Sequence, residues 1–164
     1  MKKRVIILIS ILLLILDNAL MPFLAINGAY PKLLFIFALA YSIINGREEA
    51  VFIGAFSGIL QDIYFYNGFG INSFINLFVC LLAAIIGENI YREKRLIPVI
   101  SSIFIYILKV FIIFIVFKIL GKTIDIKIGI FSALYGSIFM LFGYNYVFKL
   151  CNNQYEKNQW RFKW

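Results

Sequence analysis

The run Gly54-Ala55-Phe56-Ser57-Gly58-Ile59-Leu60-Gln61-Asp62 lies in an otherwise apolar stretch and ends in an acid. On a helix, Gly54, Gly58 and Asp62 fall four apart and drift by only about 40° per step. One face then carries two glycines and a carboxyl group. The flanking chain reads as membrane-embedded, where an ionisable side chain is costly and marks a functional position by default. A face of exposed backbone suits contact with another helix better than contact with lipid.

The chain has 164 residues, 63% of them hydrophobic, and a mean hydropathy of +0.92. Soluble domains are about 45–50% apolar. A soluble fold could not hide this surplus, so the composition predicts an all-α integral membrane protein. Histidine is absent, which removes imidazole bases and His-ligated metals. Cys80 and Cys151 lack C-x-x-C spacing and read as free thiols in or near the membrane. The net charge of +8 reports orientation and anionic-lipid contact before nucleic acid, since no base-reading scaffold accompanies it.

Six apolar runs divide residues 1–150: about 5–24, 31–45, 50–66, 71–90, 96–120 and 126–150. The first follows Met1-Lys2-Lys3-Arg4, as a signal peptide would. Its length, Asp17-Asn18 and the missing small-x-small cleavage site predict a retained helix. The second is short against the roughly 17–25 residues that span a bilayer, so it either spans with little tilt or is partly re-entrant. Asn67-Gly68-Phe69-Gly70 is a turn signal. Residues 151–164 form a basic, aromatic tail. Its Tyr155, Trp160 and Trp164 either lie at the headgroup layer or meet a cytoplasmic partner.

Six spans put both termini on one side. That side would hold Lys2, Lys3, Arg4, Arg47, Arg92, Lys94, Arg95, Lys149, Lys157, Arg161 and Lys163. The other would hold only Lys32, Lys118, Lys122 and Lys127. This excess of basic residues predicts cytoplasmic termini. The cytoplasmic residues Arg92, Lys94 and Arg95 are candidates for contact with anionic lipid or a cytoskeletal partner.

Asp17, Asp62 and Lys109 form the candidate intramembrane charge cluster. At about 1.5 Å rise per residue, all three sit roughly 18–20 Å from the inner boundary. Matched depth predicts that Lys109 neutralises Asp62 or Asp17. The plainer alternative is that Lys109 snorkels and Asp17 caps a kink near Pro22. Glu88 is expected to pair with Arg92 four residues on. Gly129, Gly136 and Gly143 recur at heptad spacing and predict a close-packing seam, internal by preference, on the sixth helix. With Gly54, Gly58, Asp62, Gly68 and Gly70 they make up the candidate helix-packing or partner-binding set.

The sequence carries no nucleophile–base constellation and no Walker phosphate loop. The loops are too short for a soluble catalytic domain, so no cofactor and no enzymatic activity are expected.

The run Gly54-x-x-x-Gly58-x-x-x-Asp62, followed by Asn67-Gly68-Phe69-Gly70-Ile71-Asn72, resembles the rod-shape-determining protein MreD family. Chain length, the basic N-terminal stub, Pro31-Lys32-Leu33-Leu34, the short second run and the basic C-terminal end fit the same family. The resemblance implies a non-enzymatic scaffold in the cytoplasmic membrane of a bacterium. It implies MreC as a partner and, through MreC, the MreB cytoskeleton and the peptidoglycan synthases of lateral wall growth. It also implies a six-helix bundle like the substrate-capture subunits of energy-coupling-factor vitamin transporters, which supply the alternative function. In those subunits Asp17, Asp62 and Lys109 would line a pocket. Against that alternative, Ile6 to Leu16 are mostly large aliphatic residues, whereas capture subunits dock through small ones.

Overall fold

The computed structural model describes residues 3–64, 70–89, 96–122 and 125–161. The described chain is six helices: α1 (Lys3–Ala19), α2 (Leu33–Asn45), α3 (Arg47–Tyr64), α4 (Ile71–Asn89), α5 (Leu96–Ile119) and α6 (Ile126–Arg161). Among the described residues the only extended pairing is an isolated bridge between Ile26 and Ala29.

Among the described residues three helices are long and apolar enough to cross a membrane: 71–89 in α4, 97–119 in α5 and 126–151 in α6. Large apolar side chains cover the outside of the bundle, among them Leu8, Leu12, Ile15, Phe74, Phe104, Ile115, Phe131 and Phe142. Such a belt suits lipid and would be unfavourable in water. The chain is therefore a multi-pass helical membrane protein.

The short second run has a physical explanation. Every residue of α2 from Leu34 to Ile44 is buried. It packs against all five other helices and forms the axis of the bundle. A helix that is hydrophobic all round belongs inside protein, and a run of 10–14 apolar residues is the length of a buried core helix. At ~1.5 Å per residue α2 covers about 20 Å.

The boundaries differ from expectation at three places. The first helix stops at Ala19, and Met21–Leu24 with Pro22 form a 3₁₀ turn. Asn27 and Gly28 then take positive φ angles of 50° and 79°, closing a tight Asn-Gly turn beneath the Ile26–Ala29 bridge. α3 begins at Arg47, because Gly46 alone reverses the chain. With φ at 88°, a conformation favouring glycine, its N–H still bonds the Ser42 carbonyl. The backbone helix of α6 continues past Leu150 to Arg161, through much of the expected tail.

The start of α1 and Cys151 of α6 lie at one end of the bundle. There the Asn45 amide reaches the Cys151 thiol at 3.4 Å, Lys3 lies over the Phe52 ring, and Arg47 pairs with Glu88 at 2.8 Å. Glu88 thus takes a partner on α3; its expected partner, Arg92, lies outside the described residues. The thiols of Cys80 and Cys151 are free and buried.

Candidate functional site

The glycine face of α3 meets α4. A Cβ on Gly54 would stand 2.8 Å from the Leu77 Cα and 2.9 Å from the Asn76 carbonyl oxygen. On Gly58 it would collide with the Ser73 Cα and lie 2.6 Å from the Asn72 carbonyl oxygen. Four residues up α3 correspond to four residues down α4, as antiparallel packing requires. The absence of side chains at these two positions lets the backbones touch.

Asp62 completes the register. Its Oδ1 accepts from the Asn72 N–H at 2.9 Å. Its Oδ2 accepts from the N–H groups of Gly70 at 3.1 Å and Ser73 at 2.9 Å, and from the Ser73 hydroxyl at 2.8 Å. These are the first N–H groups of α4, which have no partner inside their own helix. A carboxylate there satisfies them and faces the positive end of the helix dipole. Gly70, at φ 93°, begins this turn. Gly68 lies outside the described residues, as do Arg92, Lys94 and Arg95.

Asp17 does the same for α2. Its carboxylate accepts from the N–H of Leu33 at 2.6 Å and of Leu34 at 3.0 Å. Lys32, at the N-cap position, offers α2 no side-chain cap of its own. α1 therefore caps α2, and α3 caps α4, each with a carboxylate near its own C-terminal end. Two helical hairpins repeat one device that has no counterpart in sequence periodicity.

Lys109 forms neither expected ion pair. Among the described residues no carboxylate lies within 4 Å of its ammonium. Lys109 is 1% exposed. Its ammonium donates to Gln61 Oε1 at 3.3 Å and lies 3.7 Å from the centroid of the Phe35 ring. Gln61 Oε1 also accepts from the Asn76 amide at 3.1 Å, and that amide donates to the Ser57 hydroxyl at 3.3 Å. A buried polar chain thus links α5, α3 and α4 through neutral groups. The two aspartates remain within longer electrostatic reach of Lys109.

The glycines of α6 divide. A Cβ on Gly129 would meet Val110 at 2.5 Å, and one on Gly136 would meet Tyr106 at 2.8 Å and Ile36 at 3.3 Å. These two seat α6 on α5 and α2. Gly143 has nothing within 4 Å; it lines a largely apolar groove of about 450 Å³ with Leu12, Leu13, Phe142 and Tyr146. The internal seam expected of all three holds for two. Gly87 was missed. Its added Cβ would collide with the Ile43 carbonyl oxygen on α2 and lie 2.8 Å from the Ile43 Cα. The spacing Ala83-x-x-x-Gly87 was the available signal.

A second cavity, of about 360 Å³, opens at the end of the bundle away from the termini. It lies between the loop before α2, the second half of α5 and the first turns of α6. Among the described residues, no three of His, Cys, Asp and Glu gather as metal ligands.

A family model described as rod shape-determining protein MreD matches residues 1–154. Searches of curated proteins and of solved structures found no match.

Proposed function

The chain belongs to the MreD family of rod shape-determining proteins, and from that premise we propose that it is a non-enzymatic membrane scaffold of the bacterial cell-elongation machinery. In this reading it holds MreC in the cytoplasmic membrane and, through MreC, couples the MreB cytoskeleton to the peptidoglycan synthases of the lateral wall. The observation that carries the reading is the extent of the family match, which takes in all six helices up to residue 154. The packing supports it. The intramembrane carboxylates are committed to holding helices together, as a rigid platform needs, and the outer belt of apolar side chains leaves broad lateral surface. The vitamin-capture alternative receives less support. α1 exposes Leu8, Leu12 and Ile15, a bulky surface where such subunits dock through small residues.

Depletion of the protein in its rod-shaped host tests the proposal. Cells should round and lose lateral wall synthesis, and MreC should co-purify with the tagged wild-type chain. Normal rods after depletion, or a defect corrected by a nutrient, would reject it.

A further inference from the structure

The cavity of about 360 Å³ is the size of a small-ligand site, which typically runs from about 300 to 1,000 Å³. Its wall has an unusual chemistry for a membrane bundle. Lys32 and Lys109 both line it, with Tyr30, Tyr106 and Ser132. An ammonium has three N–H donors. Lys109 gives one to the Gln61 side chain, and among the described residues no carboxylate lies within 4 Å of it. The Tyr106 hydroxyl is buried and faces the Lys32 main chain. A buried cation and a buried hydroxyl each need polar surroundings. Both border one cavity.

The acids near it each hold main-chain N–H groups. Asp17, near enough to act on both lysines, gives its two oxygens to the N-terminus of α2. Asp125, the one carboxylate in the cavity wall, accepts from the Lys127 N–H in its own turn and is exposed at the rim. The rest of the wall is apolar: Val110, Ile113, Phe114, Ile126 and Ile128.

We propose that this cavity binds an anionic group, a carboxylate or phosphate, that carries an apolar body. Lys109 and Lys32 supply the charge, Tyr30 and Ser132 add polar groups to the same wall, and the aliphatic wall takes the remainder. The same chemistry describes an anionic lipid headgroup entering between α5 and α6 and a soluble amphipathic anion entering from the aqueous end. The site is independent of the scaffold reading, because none of the surface argued for partner contact forms it.

The test uses the full chain in nanodiscs of phosphatidylcholine, with thermal unfolding as the readout. The probes are added phosphatidylglycerol or phosphatidic acid in the disc, and hexanoate or inorganic phosphate in solution. At least one should raise the melting temperature of the wild type in a saturable way. The apparent affinity should fall about ten-fold or more in Lys32→Met and Lys109→Met, as expected for a charge-assisted contact. Ser132→Leu, which fills the cavity and removes no charge, should abolish the response while MreC recovery is unchanged. Lys127→Met, outside the wall, should leave it intact. A response confined to the lipids identifies a headgroup, and one to hexanoate or phosphate a soluble anion. If no probe acts, or if Lys32→Met and Ser132→Leu respond like the wild type, the proposal is wrong. Those two variants keep the test decisive even if Lys109→Met fails to fold.

Discussion

At the scale of single residues, the motif Gly54-x-x-x-Gly58-x-x-x-Asp62 is one mechanical unit. The glycines bring α4 close, and closeness is what lets Asp62 reach the first N–H groups of α4. Gly58→Ala should therefore lose more than one methyl's worth of packing. Overfilling a tight contact costs about 1–3 kcal/mol, and separation of the helices would also stretch the cap. Gly58→Leu should prevent folding or assembly. Gly143→Ala is the counter-case. Nothing lies within 4 Å of its added Cβ, and alanine is favoured over glycine within a helix by about 0.8–1 kcal/mol. Unfolding in detergent should show loss of stability for Gly58→Ala and none for Gly143→Ala. Asp62→Ala should cost about 2–4 kcal/mol, from a lost cap plus charge-assisted bonds. Asp62→Asn, which keeps one acceptor oxygen, should cost less. Equal losses for the two Asp62 variants would show that a group other than the carboxylate holds α4.

At the scale of elements, α2 is the helix on which the others rest. Cysteines placed singly at Leu34, Phe37, Leu39 and Ile43 should be protected from a lipid-soluble maleimide on every face. Those at Leu8, Leu12 and Ile15 on α1 should react. Strong labelling around the whole of α2 would move it to the periphery and undo the architecture. Much of this level could be read in advance. Apolar runs gave the six helices, and small residues gave the α3–α4 seam. The partners of the charges could not be read, for a physical reason. Asp17 and Asp62 are satisfied by main-chain N–H groups, which every residue but proline carries, so sequence does not single them out. Lys109 is held by Gln61 and an aromatic ring, which bear no net charge to advertise the match. The heptad of glycines misled for a different reason. On a straight helix a seven-residue repeat drifts about 20° per heptad. From Gly129 to Gly143 the drift reaches about 40°, enough to turn the last glycine from the seam into the groove.

For the whole molecule, the decisive property is which way the bundle faces. Lys3, Arg47 and Cys151 share one end, and Lys32, Lys122 and the cavity the other. α6 is 36 residues long, about 54 Å at helical rise, against a hydrocarbon core of about 30 Å. It therefore extends well beyond the membrane at the termini end. Because eleven of the sixteen basic residues fall at that end under a six-span threading, the positive-inside bias predicts that it faces the cytoplasm. With Cys80 and Cys151 replaced by serine or alanine, single cysteines at Lys3, Lys122 and Lys157 would report the orientation. A membrane-impermeant maleimide added to intact spheroplasts should label Lys122→Cys and leave Lys3→Cys and Lys157→Cys unmodified until the membrane is opened. Outside labelling of position 3 or 157 would invert the molecule. The groups argued to couple to the cytoskeleton would then lie on the wrong side of the membrane, and the scaffold reading would fail with them. The cavity chemistry would survive the inversion, but its soluble ligand would have to come from the cytoplasm.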